Sequence, residues 1–185
     1  MFTLSQIDKT WTLFLDRDGV LNYENQGTYV RNWDEFIFYP QTPENIKYFN
    51  SRFNRTILTT NQRGISRGIM KLSDLEDIHA NMIREIELAG GKMDKIYFCL
   101  DMEAGSPCRK PNPGMAIQAA QDFPDIELHK SLMIGNNISD MMFGRNAGMK
   151  TVFLKTTNPD PELPNPAVDL YFKDLVEFTK ALKKS

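Results

Sequence analysis

Apolar residues along this chain gather in short runs, and between those runs they recur at helical spacing instead. The runs are 12–15 (TLFL), 56–60 (TILTT), 95–100 (KIYFCL), 131–135 (SLMIG) and 151–154 (TVFL). Continuous apolar stretches of that length suit strands buried on both faces. Between them lie 43–53, 72–91, 113–123 and 139–148, and 174–185 closes the chain. In 72–91, Ile78, Met82, Ile86 and Ala89 fall on one helical face. Ser73 with Glu76 offers an N-cap signal and Gly90–Gly91 a stop, so the segment is predicted as an amphipathic helix. The basic residues of 174–185 cluster at its end, as a C-terminal helical turn favours.

Strands alternating with helices predict an α/β fold, a three-layer sandwich around a mainly parallel sheet. Sheets of that kind take ligands at the carboxyl ends of their strands. Two segments break the alternation. Residues 23–40 (YENQGTYVRNWDEFIFYP) read as a hairpin flap, and 156–167, with four prolines, as an irregular surface loop. No internal repeat is visible, and residues 1–185 are expected to form a single domain.

Composition narrows the partners. A net charge of −2 over 185 residues argues against nucleic acid or an anionic membrane as the main target. Local basic clusters still allow a small phosphorylated metabolite. No apolar run approaches the ~20 residues that cross a bilayer. The N-terminus lacks a signal-peptide pattern, so a cytoplasmic location is expected. Two cysteines, Cys99 and Cys108, suggest no disulfide framework.

Polar residues follow the runs at four places. Asp16 and Asp18 end the first; two apart on extended chain, their carboxylates face one small volume. Like charges held that close need a cation or a shared proton, and Mg²⁺ is the usual remedy. Alone, DRDG also fits a solvated turn. Thr59, Thr60, Asn61 and Gln62 end the second run, with Gly64, Gly68, Arg63 and Arg67 able to fold around an anion. Arg109 and Lys110 precede a proline-stiffened turn into a helix, where cations can neutralise phosphate oxygens. Gly135, Asn136, Asn137 and Asp140 follow the fourth run.

In that order, FLDRDGVLN, TNQRGISRG and CRKPNPGM resemble the haloacid dehalogenase superfamily of phosphohydrolases. The branch holds histidinol-phosphate phosphatase and D-glycero-D-manno-heptose 1,7-bisphosphate phosphatase, and the likeness covers residues 11–154. It implies an enzyme without a large cap domain that hydrolyses a phosphomonoester, such as a sugar bisphosphate or histidinol phosphate. By this resemblance Asp16 is the nucleophile and Asp18 the general acid and base. Thr60 and Lys110 would bind the transferring phosphoryl group. Mg²⁺ would sit on Asp16, the backbone carbonyl of Asp18 and residue 136, with Asp140 contributing directly or through a water. Asn61, Arg67, Arg109 and Arg31 are expected to bind substrate, with Tyr29 a further flap candidate and Phe36 expected rather to pack on the sheet.

Two departures from the resemblance stand out. Its zinc loop of three Cys and one His is reduced here to Cys99 and Cys108, with Ser106 near a Cys position. Zinc is therefore not expected, and both cysteines are expected to be ordinary packed residues. His79 and His129 have no ligand partner in view. The pattern Gly-Asp-x-x-x-Asp appears as Gly135-Asn136-x-x-x-Asp140, which removes a charge from the metal position. A catalytically impaired phospho-ligand-binding protein and a polynucleotide 3′-phosphatase stand as alternatives. Oligomeric state is not readable, although a capless domain of this size can work as a monomer.

Overall fold

A computed structural model describes residues 2–25, 27–159, 161–162 and 164–185. Six strands form one parallel sheet: β1 (Thr12–Leu15), β2 (Arg55–Asn61), β3 (Lys95–Cys99), β4 (Ser131–Gly135), β5 (Lys150–Leu154) and β6 (Leu170–Phe172). Their order is β3-β2-β1-β4-β5-β6. The sequence pattern predicted the first five. β6 lies at the edge, three residues long and only partly buried, too short to register as an apolar run.

Five helices cover the sheet: α1 (Thr42–Arg52), α2 (Leu72–Leu88), α3 (Gly114–Asp122), α4 (Ile138–Asn146) and α5 (Leu175–Lys184). Leu13 and Leu15 of β1 enter a core with Phe49, Ile78, Met82 and Phe178, from α1, α2 and α5. Phe14 enters a second core with Met115, Ala119 and Phe143, from α3 and α4. Burial on both faces explains why Leu13, Phe14 and Leu15 are apolar in succession rather than at alternate positions.

α2 begins two residues earlier than its cap signal suggested. The Asp74 carboxylate accepts from the Lys71 backbone N–H at 2.7 Å, so Ser73 and Glu76 lie inside the first turns. Its end follows expectation. Gly90 takes a left-handed φ of 83°, and Gly91 N–H closes onto the Ile86 carbonyl at 2.9 Å.

Residues 23–40 do not form the expected hairpin. Only a narrow contact links their ends: Tyr23 N–H donates to the Ile37 carbonyl and Tyr39 N–H to the Leu21 carbonyl, each at 2.9 Å. Between lies a 3₁₀ turn, Trp33–Glu35, whose N-cap Asn32 accepts from Glu35 N–H. Trp33, Phe36 and Phe38 pack on one another, and Phe36 is buried, so this aromatic cluster sets the shape of the segment. Described residues of 156–167 carry no helix or strand. Among the described residues no helix is long and apolar enough to cross a membrane.

β1 and β4 are neighbours at the point where the strand order reverses, the usual ligand crevice of such sheets. Asp16 N–H donates to the Ile134 carbonyl at 3.0 Å, which ties the end of β1 to the end of β4.

Candidate active site

Asp16 leaves β1 into this crevice and meets Lys110, which arrives from the loop before α3. The Lys110 ammonium donates to Asp16 Oδ1 at 2.8 Å, to Asp140 Oδ1 at 2.7 Å and to the Thr59 carbonyl at 2.9 Å. Lys110 is only 3% exposed. Burial would pull its pKa down, but two carboxylates outweigh that and hold it above the ordinary lysine value. Asp16 has the opposite problem. Burial, reinforced by the negative charges of Asp140 and Asp18, pushes its pKa up to about 7 despite the Lys110 contact. One cation thus serves two buried carboxylates.

Asp18 is held differently. Arg17 pairs with it at 3.0 Å, Asn22 donates to Oδ1 at 2.9 Å and Gln62 to Oδ2 at 2.9 Å. Burial opposes its charge, yet Arg17 and these donors keep the carboxyl below its ordinary value. Gln62 also donates to Thr60 Oγ1 at 2.9 Å and accepts from Arg17 at 3.2 Å, joining the ends of β1 and β2. Arg17, fully buried, contacts the His79 ring at 3.3 Å. Burial and that guanidinium depress the His79 pKa to about 3, so the ring stays neutral.

The β4 side is built by a helix cap. Asn137 caps α4 through Ser139 N–H at 3.0 Å, and Asp140 Oδ2 accepts from Asn137 N–H at 3.0 Å. Both Asp140 oxygens are therefore engaged, one with Lys110 and one with the cap. Asn136, 1% exposed, donates through Nδ2 to Thr157 Oγ1 at 2.6 Å and lies 3.5 Å from Glu24 Oε2.

These groups line a cavity of about 410 Å³, with Asp16, Asp18, Thr60, Asn61, Lys110, Asn136 and Asp140 on its wall. Arg63 and Arg67 line it from the loop after β2, and Glu24, Thr28 and Tyr29 from the connection after β1. The Arg67 guanidinium lies 5.9 Å over the Tyr29 ring. Asn61 exchanges two 3.1 Å hydrogen bonds with the Lys110 backbone and so also fixes the lysine's approach.

Two expected substrate-binding residues are not brought to the cavity. Arg31 turns away to Glu35, at 2.5 Å. Arg109 donates instead to the Met102 carbonyl. The cysteines also depart from expectation: Cys99 and Cys108 form a disulfide rather than packing as free thiols. Cys99 ends β3 and Cys108 lies just before Arg109, so the loop between them brings the two sulfurs together. Cys99, Asp101 and Cys108 form the group nearest to a metal cluster of His, Cys and carboxylate among the described residues. With both sulfurs bonded to each other it offers zinc no thiolate pair.

The residues present fit a hard divalent cation at the Asp16–Asn136 position. The donors are all oxygen: the Asp16 carboxylate, the Asp18 carbonyl and Asn136 Oδ1. The unbalanced carboxylates beside Lys110 make added positive charge favourable. The cradle is close-fitting, since Gly19 has φ 81° and a Cβ there would lie 1.9 Å from Asn136 Nδ2. Residue spacing had exposed neither Arg17 and Asn22, which hold Asp18, nor Glu24; it had placed Gln62 at the end of the second run, but not its bond to Asp18. Arg17 carried one usable signal: a guanidinium between two apolar-strand acids must find buried acceptors.

Residues 107–178 match the HAD-hydrolase-like family model. A D-glycero-alpha-D-manno-heptose-1,7-bisphosphate 7-phosphatase of Campylobacter jejuni is 41% identical over 146 residues, 79% of this chain and 83% of its own. The corresponding beta-heptose enzyme of Helicobacter pylori J99 is 36% identical over 176 residues, 92% of this chain and 96% of its own. Among solved structures, a D,D-heptose 1,7-bisphosphate phosphatase from B. bronchiseptica, complexed with magnesium and phosphate, superposes with a TM-score of 0.81 at 28% identity. That match covers 94% of this chain and 98% of the other.

Proposed function

Since the chain belongs to the haloacid dehalogenase-like phosphatases, we propose that it removes the 7-phosphate from a heptose 1,7-bisphosphate in a Mg²⁺-dependent reaction. The single observation that carries the reaction class is the Asp16–Lys110–Asp140 arrangement at the crevice between β1 and β4. The names of the full-length relatives carry the substrate.

In this reading Asp16 attacks phosphorus, the bond to the sugar oxygen breaks, and the leaving oxygen takes a proton from Asp18. Water then attacks the aspartyl-phosphate, its proton passes to Asp18, and the Asp16–phosphorus bond breaks to release phosphate. Asp18 is set in its ionised form by Arg17, ready for the second step. For the first it must take up a proton, which follows if the entering substrate draws it away from Arg17. Thr60 and Lys110 hold the phosphoryl oxygens, and Asp140 positions Lys110. Bound at Asp16, the Asp18 carbonyl and Asn136, Mg²⁺ would offset charge on Asp16 and on the phosphoryl group. Residues 23–40 serve as a flap over the cavity, with Arg63 and Arg67 facing the remote phosphate.

Asn136 favours a second reading, retention of phospho-ligand binding with little turnover, because the amide brings no charge to the metal position. Phosphate release from a panel of sugar bisphosphates, sugar phosphates and histidinol phosphate, with Mg²⁺ titrated, separates the two. Turnover lost on chelation supports the enzyme. Ligand binding without turnover, restored by Asn136→Asp, supports the second.

A further inference from the structure

Glu24 is the carboxylate that the 23–40 segment brings to the cavity wall, and neither the reaction nor the packing described above uses it. It sits one residue beyond the anchored Tyr23, so its backbone is held in place. Glu24 forms no ion pair with a described residue, whereas Asp16, Asp18 and Asp140 each do. Its Oε2 lies 3.5 Å from Asn136 Nδ2, which places an uncommitted negative charge beside the position where the neutral amide stands.

The orientation of Asn136 follows from its partners. Nδ2 faces Thr157 Oγ1 and the Glu24 carboxylate, both acceptors, so Oδ1 is the atom turned away from them. Oδ1 accepts no hydrogen bond from a described residue, although Asn136 is almost wholly buried. An amide oxygen without a donor, on a residue of the cavity wall, and a nearby carboxylate outside any ion pair are what a divalent cation would satisfy together.

We propose that Glu24 supplies, at the divalent-cation position, the negative charge that Asn136 does not carry. The inference rests on the metal-dependent reading of the site and adds to it a residue from outside β1 and β4. It also makes the cation a link between the sheet and the 23–40 connection, so that loading the metal steadies the segment that roofs the cavity.

Calorimetric titration of the intact protein with Mg²⁺ alone, without substrate, tests it through affinity rather than turnover. Four proteins are compared: the unchanged chain, Glu24→Gln, Asn136→Asp and the double variant. Glu24 is half-buried at the surface, and thermal melts verify that each variant folds. Glu24→Gln is expected to weaken Mg²⁺ binding by about tenfold or more in the unchanged chain. With a carboxylate already at position 136, the same change should cost less than about threefold, the two sites being coupled through one ion. Equal, small effects of Glu24→Gln in both backgrounds would overturn the assignment while leaving the metal site standing. So would an unchanged chain that binds no Mg²⁺ beside an Asn136→Asp variant that does. If neither binds Mg²⁺, the metal-dependent reading itself fails and takes this proposal with it.

Discussion

Replacing Lys110 by methionine keeps the length of the side chain and removes its charge, which isolates what that charge does. The ammonium is nearly inaccessible and touches Asp16, Asp140 and the Thr59 carbonyl within 2.9 Å. Taking one partner from a buried ion pair costs about 3–5 kcal/mol, because the opposite charge is left without compensation. Here two carboxylates are left, but Asp16 already has its pKa near 7 and can escape by taking up a proton. The sign follows from proton counting. An acid whose folded pKa lies above its unfolded value binds more protons in the native state, so the native state gains as pH falls. Lys110→Met should therefore lose about 3 kcal/mol in urea unfolding near pH 8, and clearly less near pH 6. Adding Asp140→Asn removes one of the stranded charges and should return about 1–2 kcal/mol, a coupling that independent sites would not show. Phosphate release should fall to background, with a neutral Asp16 no longer nucleophilic. A Lys110→Met protein within about 1 kcal/mol of the unchanged chain at both pH values would refute the reasoning.

Other outcomes follow from the same structure. His79, neutral with its pKa depressed from 6.5 to about 3, binds fewer protons folded than unfolded across that window, so acidification destabilises the protein. The loss should reach about 2 kcal/mol by pH 5 and shrink in His79→Gln, which melts recorded across pH would reveal. The Cys99–Cys108 bond closes a short loop with a separation of 9, worth about 2–3 kcal/mol by chain entropy. Reductant should lower the midpoint of unfolding and expose two titratable thiols; two thiols counted before any reductant is added would contradict the bond. Arg63→Ala with Arg67→Ala should raise KM for the bisphosphate by about tenfold or more, on charge-assisted bonds of about 1.5–3 kcal/mol. KM for a sugar monophosphate should hardly move, and equal effects on both substrates would place the remote phosphate elsewhere.

Much of the fold is legible because burial on both faces writes itself into composition. β1, β2, β4 and β5 are buried nearly throughout and each carries consecutive apolar residues, and the helices between them carry their own spacing. β6 escaped because three residues at a sheet edge leave no such mark. Around the site, Asp16, Thr60 and Asp140 were legible because each lies at a strand end or in the first turn of a helix, and Lys110 because it precedes a proline-stiffened turn into α3; the sheet then brings such positions together. Arg31 and Arg109 show the limit of that logic. A basic residue near the site in sequence turns to whichever acceptor its own loop offers, here Glu35 and the Met102 carbonyl. The residues 23–40 were expected to form a hairpin, but a 3₁₀ turn interrupts them, and Trp33, Phe36 and Phe38 pack on one another around it. The disulfide depends on a loop returning Cys108 to the end of β3, a closure that spacing alone does not specify.

Metal-dependent hydrolysis of a heptose 1,7-bisphosphate through Asp16 can be read by following both phosphates of that substrate with ³¹P NMR. The relatives' names differ in anomer, so both the alpha and beta sugars are used. With Mg²⁺ present, the 7-phosphate signal should give way to free phosphate while the 1-phosphate stays on the sugar. Asp16→Asn, folded by its melting curve, should leave both signals intact. Unchanged spectra for the native protein with either anomer, or phosphate release that survives Asp16→Asn, would contradict the account.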